Sequence, residues 1–171
     1  MKRKMPASTL EYFREHPPAE TEEVSIEQPS EAIVAFVNAA LEVIGNAMER
    51  HSFVRTHTKV DATSVTLTYR RDHQWVRVDA STDYRDSPAY FNLILGSDGP
   101  GGAMTVALWR VMRLVPGLEN AGEYAFPFGE GVVPGLRQAV SDLEMYGAGF
   151  LAGDFAQVRE AWERMLREIH S

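Results

Sequence analysis

Between Ser64 and Ala80 the chain alternates in a two-residue period, and that pattern limits the fold more than any other feature. Val65, Leu67 and Tyr69 fall on one side with Thr66, Thr68 and Arg70 on the other; Val76, Val78 and Ala80 then oppose Trp75, Arg77 and Asp79. Successive strand side chains point to opposite faces, so each run has one dry and one wet face. A slip of one residue would turn every apolar residue into water, which fixes the register. The neighbouring runs extend the pattern to a four-stranded antiparallel meander: residues 53–60, a turn at Asp61–Ala62, 64–70, a turn at 71–73, 74–80, a polar loop over 81–88, and 89–95. The last run is mostly apolar, which places it in the sheet interior.

The remaining periodicity is helical. From Ser30, with Pro29 ahead of it and Glu31 in the first turn, Ile33, Phe36/Val37, Ala40/Leu41, Ile44 and Met48 recur every three to four residues to Arg50. Such a stripe belongs against the dry face of the meander. Residues 103–114 fit strand or helix, and Val106, Trp109, Val111/Met112 and Val115 before the Pro116–Gly117 stop favour a helix. Tyr124, Phe126 and Phe128 pin the crossing loop that follows. Pro134 opens a helix carrying Leu136, Val140 and Leu143, with Gly147 and Gly149 marking an early end near Tyr146 or a close approach. Gly153 and Asp154 punctuate the start of the final helix, striped by Phe155, Val158, Trp162, Met165/Leu166 and Ile169. The expected fold class is α+β: an antiparallel sheet of about four strands with helices packed on one face. Residues 1–29, with Pro17, Pro18 and the glutamates 20, 22, 23 and 27, read as an amino-terminal arm and acidic linker, and 30–171 as a single α+β domain.

Little in the chain points to chemistry. The absence of cysteine removes disulfides, thiolate metal sites and thiol nucleophiles. His16, His51, His57, His73 and His170 form no ligand-spaced pair. Asp79, Asp83 and Asp86 lack the spacing and the accompanying Gly and Glu of a calcium loop, and read as turn formers. Residues 97–102 lack the lysine and hydroxyl of a phosphate loop. No catalytic residue, metal ligand or cofactor is expected, and an enzyme reading has no motif behind it. The basic start is followed by no apolar run, and no stretch reads as a membrane span, so a cytoplasmic location without membrane contact is expected. A net charge of −7 weighs against general nucleic-acid binding.

The alternation does predict a surface. The wet face collects Arg55, His57 and Lys59, then Thr66, Thr68 and Arg70, then Trp75, Arg77 and Asp79, with Tyr90 and Asn92 at its border. A large aromatic among cations on a solvated sheet face marks a contact patch or is covered by the amino-terminal arm. Arg and Trp are also the residue types that dominate binding hot spots. Arg55, His57, Lys59, Arg70, Trp75 and Arg77 are therefore the candidate binding residues.

The tail LRQAVSDLEMYGAGFLAGDF, the upstream VALWRVMR and the Thr/Arg-rich meander resemble small bacterial α+β proteins of toxin-immunity-like or secretion-chaperone-like build. The shared words cover about a third of the chain and hold no catalytic role. The resemblance implies the fold and a protein partner, and transfers no functional residue. The expected function is a non-enzymatic protein-binding module using the polar sheet face. The alternatives are a nucleic-acid-associated protein using the same Arg/Lys/Trp face, and a small enzyme without a recognisable motif.

Overall fold

A computed structural model of the chain describes residues 22–24, 28–83, 88–99 and 101–171. The elements run β1 (Glu22–Val24), α1 (Glu31–Arg50), β2 (Val54–Val60), β3 (Ser64–Arg71), β4 (Gln74–Ser81), β5 (Tyr90–Ser97), β6 (Met104–Ala107), α2 (Leu108–Met112) and β7 (Tyr124–Ala125). A single 3-10 turn over Gly129–Gly131 leads into α3 (Val132–Tyr146), α4 (Ala148–Leu151) and α5 (Ala156–Ile169). The fold is α+β, as the periodicity requires, with the sheet larger than expected. Strands pair in the order β1-β2-β3-β4-β5-β6, and β7 pairs with the start of β5, where β6 does not reach. Every pairing is antiparallel except β1 with β2.

The meander register follows from the apolar alternation. Val65, Leu67 and Tyr69 stand opposite Ala80, Val78 and Val76, which in turn oppose Phe91, Leu93 and Leu95. All nine are buried. Against this face lies α1, whose Ser30 hydroxyl accepts from the Ile33 N–H at 3.3 Å and so satisfies one orphan donor of the first turn. Ile33, Phe36, Ala40 and Ile44 of its stripe are fully buried. By length and apolar composition α1 is the one described helix that could cross a membrane, contrary to the reading that no stretch qualifies. In this fold its stripe lies on the sheet. Leu136, Ala139 and Leu143 of α3, Phe150 of α4, and Val158 and Ala161 of α5 complete the same core.

Several expectations are corrected. Residues 104–107, read as the start of a helix, form β6. Met104 and Val106 point inward and Val106 pairs with Leu95, so the period of two wins where a strand edge is available. Only Leu108–Met112 is helical. The arm expected over 1–29 is structural in part. Glu22–Val24 pair with Thr58–Val60, Pro29 is buried, and the Ser30 N–H donates to the Ala62 carbonyl at 3.0 Å. The short helix expected over 9–16 lies outside the described residues. Tyr124 and Phe126 do pin the crossing loop, stacking on Phe91 and Phe36, whereas Phe128 is 48% exposed. Ile169 does not join the stripe of α5 and stands 65% exposed.

The β3–β4 turn is tied to the helices by a polar knot. The Arg71 guanidinium donates to the His51 carbonyl at 2.7 Å, the Leu151 carbonyl at 2.6 Å and Gln74 Oε1 at 2.6 Å, and lies 4.5 Å over the Phe53 ring. Gln74 is buried and its amide donates to the Phe150 carbonyl at 2.5 Å. The last carbonyls of a helix have no partner within it, and these two side chains supply partners to α1 and α4.

Candidate functional site

The helices cover one side of the sheet, and among the described residues no element covers the other, called here the open face. Backbone pairing arranges the open face in transverse rows. The first holds Val54, Arg70, Trp75, Gly96 and Thr105; the second His57, Thr68, Arg77, Ile94 and Ala107; the third Lys59, Thr66, Asp79 and Asn92. Five of the six candidate residues, His57, Lys59, Arg70, Trp75 and Arg77, are thus brought together on this face.

Arg55 is not among them. The β2–β3 register shifts between Arg55 and His57, inserting Thr56 as an extra residue. Such a bulge reverses the facing of everything before it. Arg55 consequently pairs with Tyr69 on the helix side, and Val54 is turned outward, 66% exposed. Arg55 instead lines a groove of about 570 Å³ between α1 and the start of β2.

Trp75 stands in the middle of the first row, and its neighbour across the strand explains its pose. A β-carbon at position 96 would stand 2.1 Å from two atoms of the Trp75 indole, so the ring lies directly on the Gly96 backbone. Only glycine allows that approach. On the next row the Arg77 guanidinium sits 5.4 Å from the Trp75 ring centroid while its Nε donates to Asp79 Oδ2 at 2.8 Å. Thr66 Oγ1 donates to the other Asp79 oxygen at 3.0 Å. Trp75, Arg77, Asp79 and Thr66 therefore form one chain of contacts lying flat on β3, β4 and β5. The aromatic–cation contact and the charge-assisted hydrogen bond both hold Arg77 in one orientation.

Around this centre the charges differ in their engagement. Arg70 donates to Asp98 Oδ2 at 2.8 Å, and that hydrogen bond holds the Asp98 carboxyl below the usual carboxylate range. His57 and Lys59 make no ion pair among the described residues. At the border, Asn92 is buried and donates to Glu123 at 3.2 Å. Burial, then the charges of Asp79 and Glu123, push the Tyr90 phenol up. Asp79 is engaged by Arg77 and Thr66, which leaves no clear triad with Asp83, and Asp86 lies outside the described residues. Among the described residues no three His, Asp or Glu side chains stand together as a metal site.

Sequence reading missed Gly96, Ile94 and Val54 as parts of this surface. Gly96 could have been found, because an isolated glycine after a run of strand residues marks a close approach. Val54 could not, since nothing in FVRTHTKV announces the bulge. No protein-family model, curated protein or solved structure matches this chain.

Proposed function

We propose that the chain is a non-enzymatic protein-binding module, of immunity-like or chaperone-like kind, that engages its partner through the open sheet face. One observation carries this reading: Trp75 is seated on Gly96 and fixed from above by an Arg77 that is itself locked to Asp79. A rigid aromatic with a large apolar face and an oriented guanidinium is the usual anchor of a protein interface, and little side-chain entropy remains to be lost on contact. The strands beneath it are the most firmly registered part of the fold, so the anchor is pre-positioned.

The state of the cations favours protein over nucleic acid. Arg70 and Arg77 are already paired with carboxylates, and among the described residues His57 and Lys59 are the positive groups of the face without an ion pair. Phosphate binding depends on several free cations acting together. A partner surface with one or two carboxylates and an apolar centre over Trp75 and Ile94 suits this arrangement better.

Affinity capture from the native host, with the wild-type chain beside a Trp75→Ala/Arg77→Glu variant, tests the reading. A protein retained by the wild type and lost by the variant, then shown to bind the purified wild type, supports it. Retention of nucleic acid with a steep salt dependence, or equal capture by both chains, contradicts it.

A further inference from the structure

β6 runs directly into α2, so the pairing of Val106 with Leu95 also sets where Trp109, Arg110 and Arg113 stand. The guanidinium carbons of Arg110 and Arg113 lie 4.5 and 4.4 Å from the centroid of the Trp109 ring. An aromatic face attracts a guanidinium without accepting its N–H donors, which remain for other partners. Packed against α2 is α5, whose Ala161, Arg164 and Glu168 recur three to four residues apart and so share one face. Between the two helices and the turn at Glu119 lies a pocket of about 80 Å³, lined by Arg110, Arg113, Glu119, Ala161, Arg164 and Glu168.

The charges of this pocket are out of balance. Arg110 donates to Glu168 Oε2 at 2.8 Å, while Arg164 Nε stands 3.9 Å from the other oxygen. The Arg110 hydrogen bond, then the charges of Arg110, Arg164 and Arg113, hold the Glu168 carboxyl below the usual carboxylate range. Three guanidiniums thus act on one carboxylate. Glu119 offers them little, because both of its oxygens accept from the Gly117 N–H at 3.0 Å. Arg113 is aimed by its Nε, which donates to the Ala121 carbonyl at 2.6 Å, and it makes no ion pair among the described residues. The other charges of α5, Arg159, Glu160, Glu163 and Arg167, do not line the pocket. The two oxygens of one carboxylate cannot serve three such forks of donors.

We infer that the pocket between α2 and α5 binds the phosphate group of a small soluble molecule through Arg110, Arg113 and Arg164. A phosphate monoester brings close to two negative charges and three terminal oxygens, whereas a carboxylate brings one charge and two oxygens. Glu168 holds the place of the anion in the free chain. It sits at the end of α5 with its side chain 51% exposed, and it swings out as phosphate enters. The volume admits the phosphate head alone, so the rest of the ligand lies toward solvent. A net charge of −7 sets the chain against an anionic membrane or a nucleic acid, which favours a small ligand. The site shares no residue with the open face, so it stands whether or not that face binds a protein.

The test follows the full-length chain by NMR while inorganic phosphate or glycerol phosphate is added, with sodium chloride at equal ionic strength as the control. The Trp109 indole N–H, buried and without an acceptor among the described residues, is the reporter beside the backbone amides of 110–113 and 164–168. Saturable shifts at these positions with both phosphates, and none with chloride, are expected. Arg164→Gln, at a side chain 56% exposed, should weaken binding about tenfold and leave the rest of the spectrum unchanged. Glu168→Gln should tighten it about threefold, the scale of one exposed ion pair removed as competitor. Linear shifts shared with chloride would overturn the inference by showing ionic screening alone. A Glu168→Gln chain that binds no more tightly than the wild type would also overturn it, as would a response to phosphatidate vesicles without one to either soluble phosphate. If Arg164→Gln disturbs the fold, Glu168→Gln decides the matter, because a gain of affinity does not come from unfolding.

Discussion

Arg71 at the end of β3 and Arg77 in the middle of β4 each hold a guanidinium over an aromatic ring, and the two pairs do different work. Arg71 covers Phe53 and donates to three acceptors that belong to α1, α4 and its own hairpin. Arg77 covers Trp75 and, among the described residues, has one hydrogen-bond partner, Asp79, on the same strand. The first pair joins the sheet to the helices, and every donor direction it uses ends inside the fold. Among the described residues the second joins nothing beyond its own strand and its neighbours, and one hydrogen bond and one ring contact hold it. An arginine–aromatic pair stabilises the fold when its remaining hydrogen bonds go to otherwise orphaned carbonyls. Where those bonds stay on a solvated sheet face, the pair is available to a partner.

The sharpest break of this comparison is at Arg71. Arg71→Met keeps much of the apolar stem but strands the His51 and Leu151 carbonyls and the Gln74 amide oxygen. Hydrogen bonds to charged groups are worth about 1.5–3 kcal/mol each, so a loss of about 3 kcal/mol is expected in urea denaturation. A loss under about 1 kcal/mol would mean that the knot is decorative and the helices are held by apolar contact alone.

A smaller effect is expected at Gly96. Gly96→Ala puts a methyl group where the Trp75 ring now lies, and the ring has to lift from the sheet. Overpacking of this kind costs about 1–2 kcal/mol, relieved in part because the ring can move toward solvent. The diagnostic change is optical: tryptophan emission shifts to longer wavelength as the indole hydrates. The same shift should be absent in a Trp75→Phe background.

The two faces also predict different tyrosine titrations. Tyr124 lies on the helix side, stacked on Phe91 at 4.7 Å, and donates to Asp142 at 2.7 Å. Burial first, then that hydrogen bond and the Asp142 charge, raise its pKa far above the ordinary phenol value. Tyr90 on the open face is raised too, by burial and then by Asp79 and Glu123. A pKa raised in the folded state means that stability is fully present below the unfolded phenol value, near 10, and is lost as pH rises beyond it. The Tyr124→Phe variant should therefore lose less stability than the wild type between pH 9 and 11, with Tyr90→Phe nearer the wild type. A wild type and Tyr124→Phe variant with the same slope would contradict the assignment.

How much of this was legible in the sequence depended on whether a local pattern had one solution. The stripe of α1 and the alternation of β3 and β4 did, because a shift in either exposes a whole apolar row. The α3 end near Tyr146 was likewise marked by a single residue, Gly147. β6 was not, since MTVALWRVM satisfies both periods until a strand edge on β5 settles the matter. Nor was β1, whose three residues include two glutamates and are too few to show an alternation. The bulge at Thr56 was invisible for a different reason. Nothing in FVRTHTKV marks an inserted residue, and the shift shows only in the pairing of β2 with β3. That one extra residue moved Arg55 off the predicted surface and left the other five candidates in place.

If the open face binds while the helix side holds the fold, a single variant separates binding from stability. Trp75→Ala/Arg77→Glu removes both members of the outer pair and touches none of the knot around Arg71. Its unfolding free energy and its affinity for the captured partner are measured side by side with the wild type. The expected result is a stability change of about 1 kcal/mol, as for substitutions away from a core, with affinity reduced by at least about a hundredfold, as for the loss of a hot spot. An unfolded variant would place Trp75 in the structural core. A folded variant that binds as tightly as the wild type would show the open face to be ordinary solvated surface.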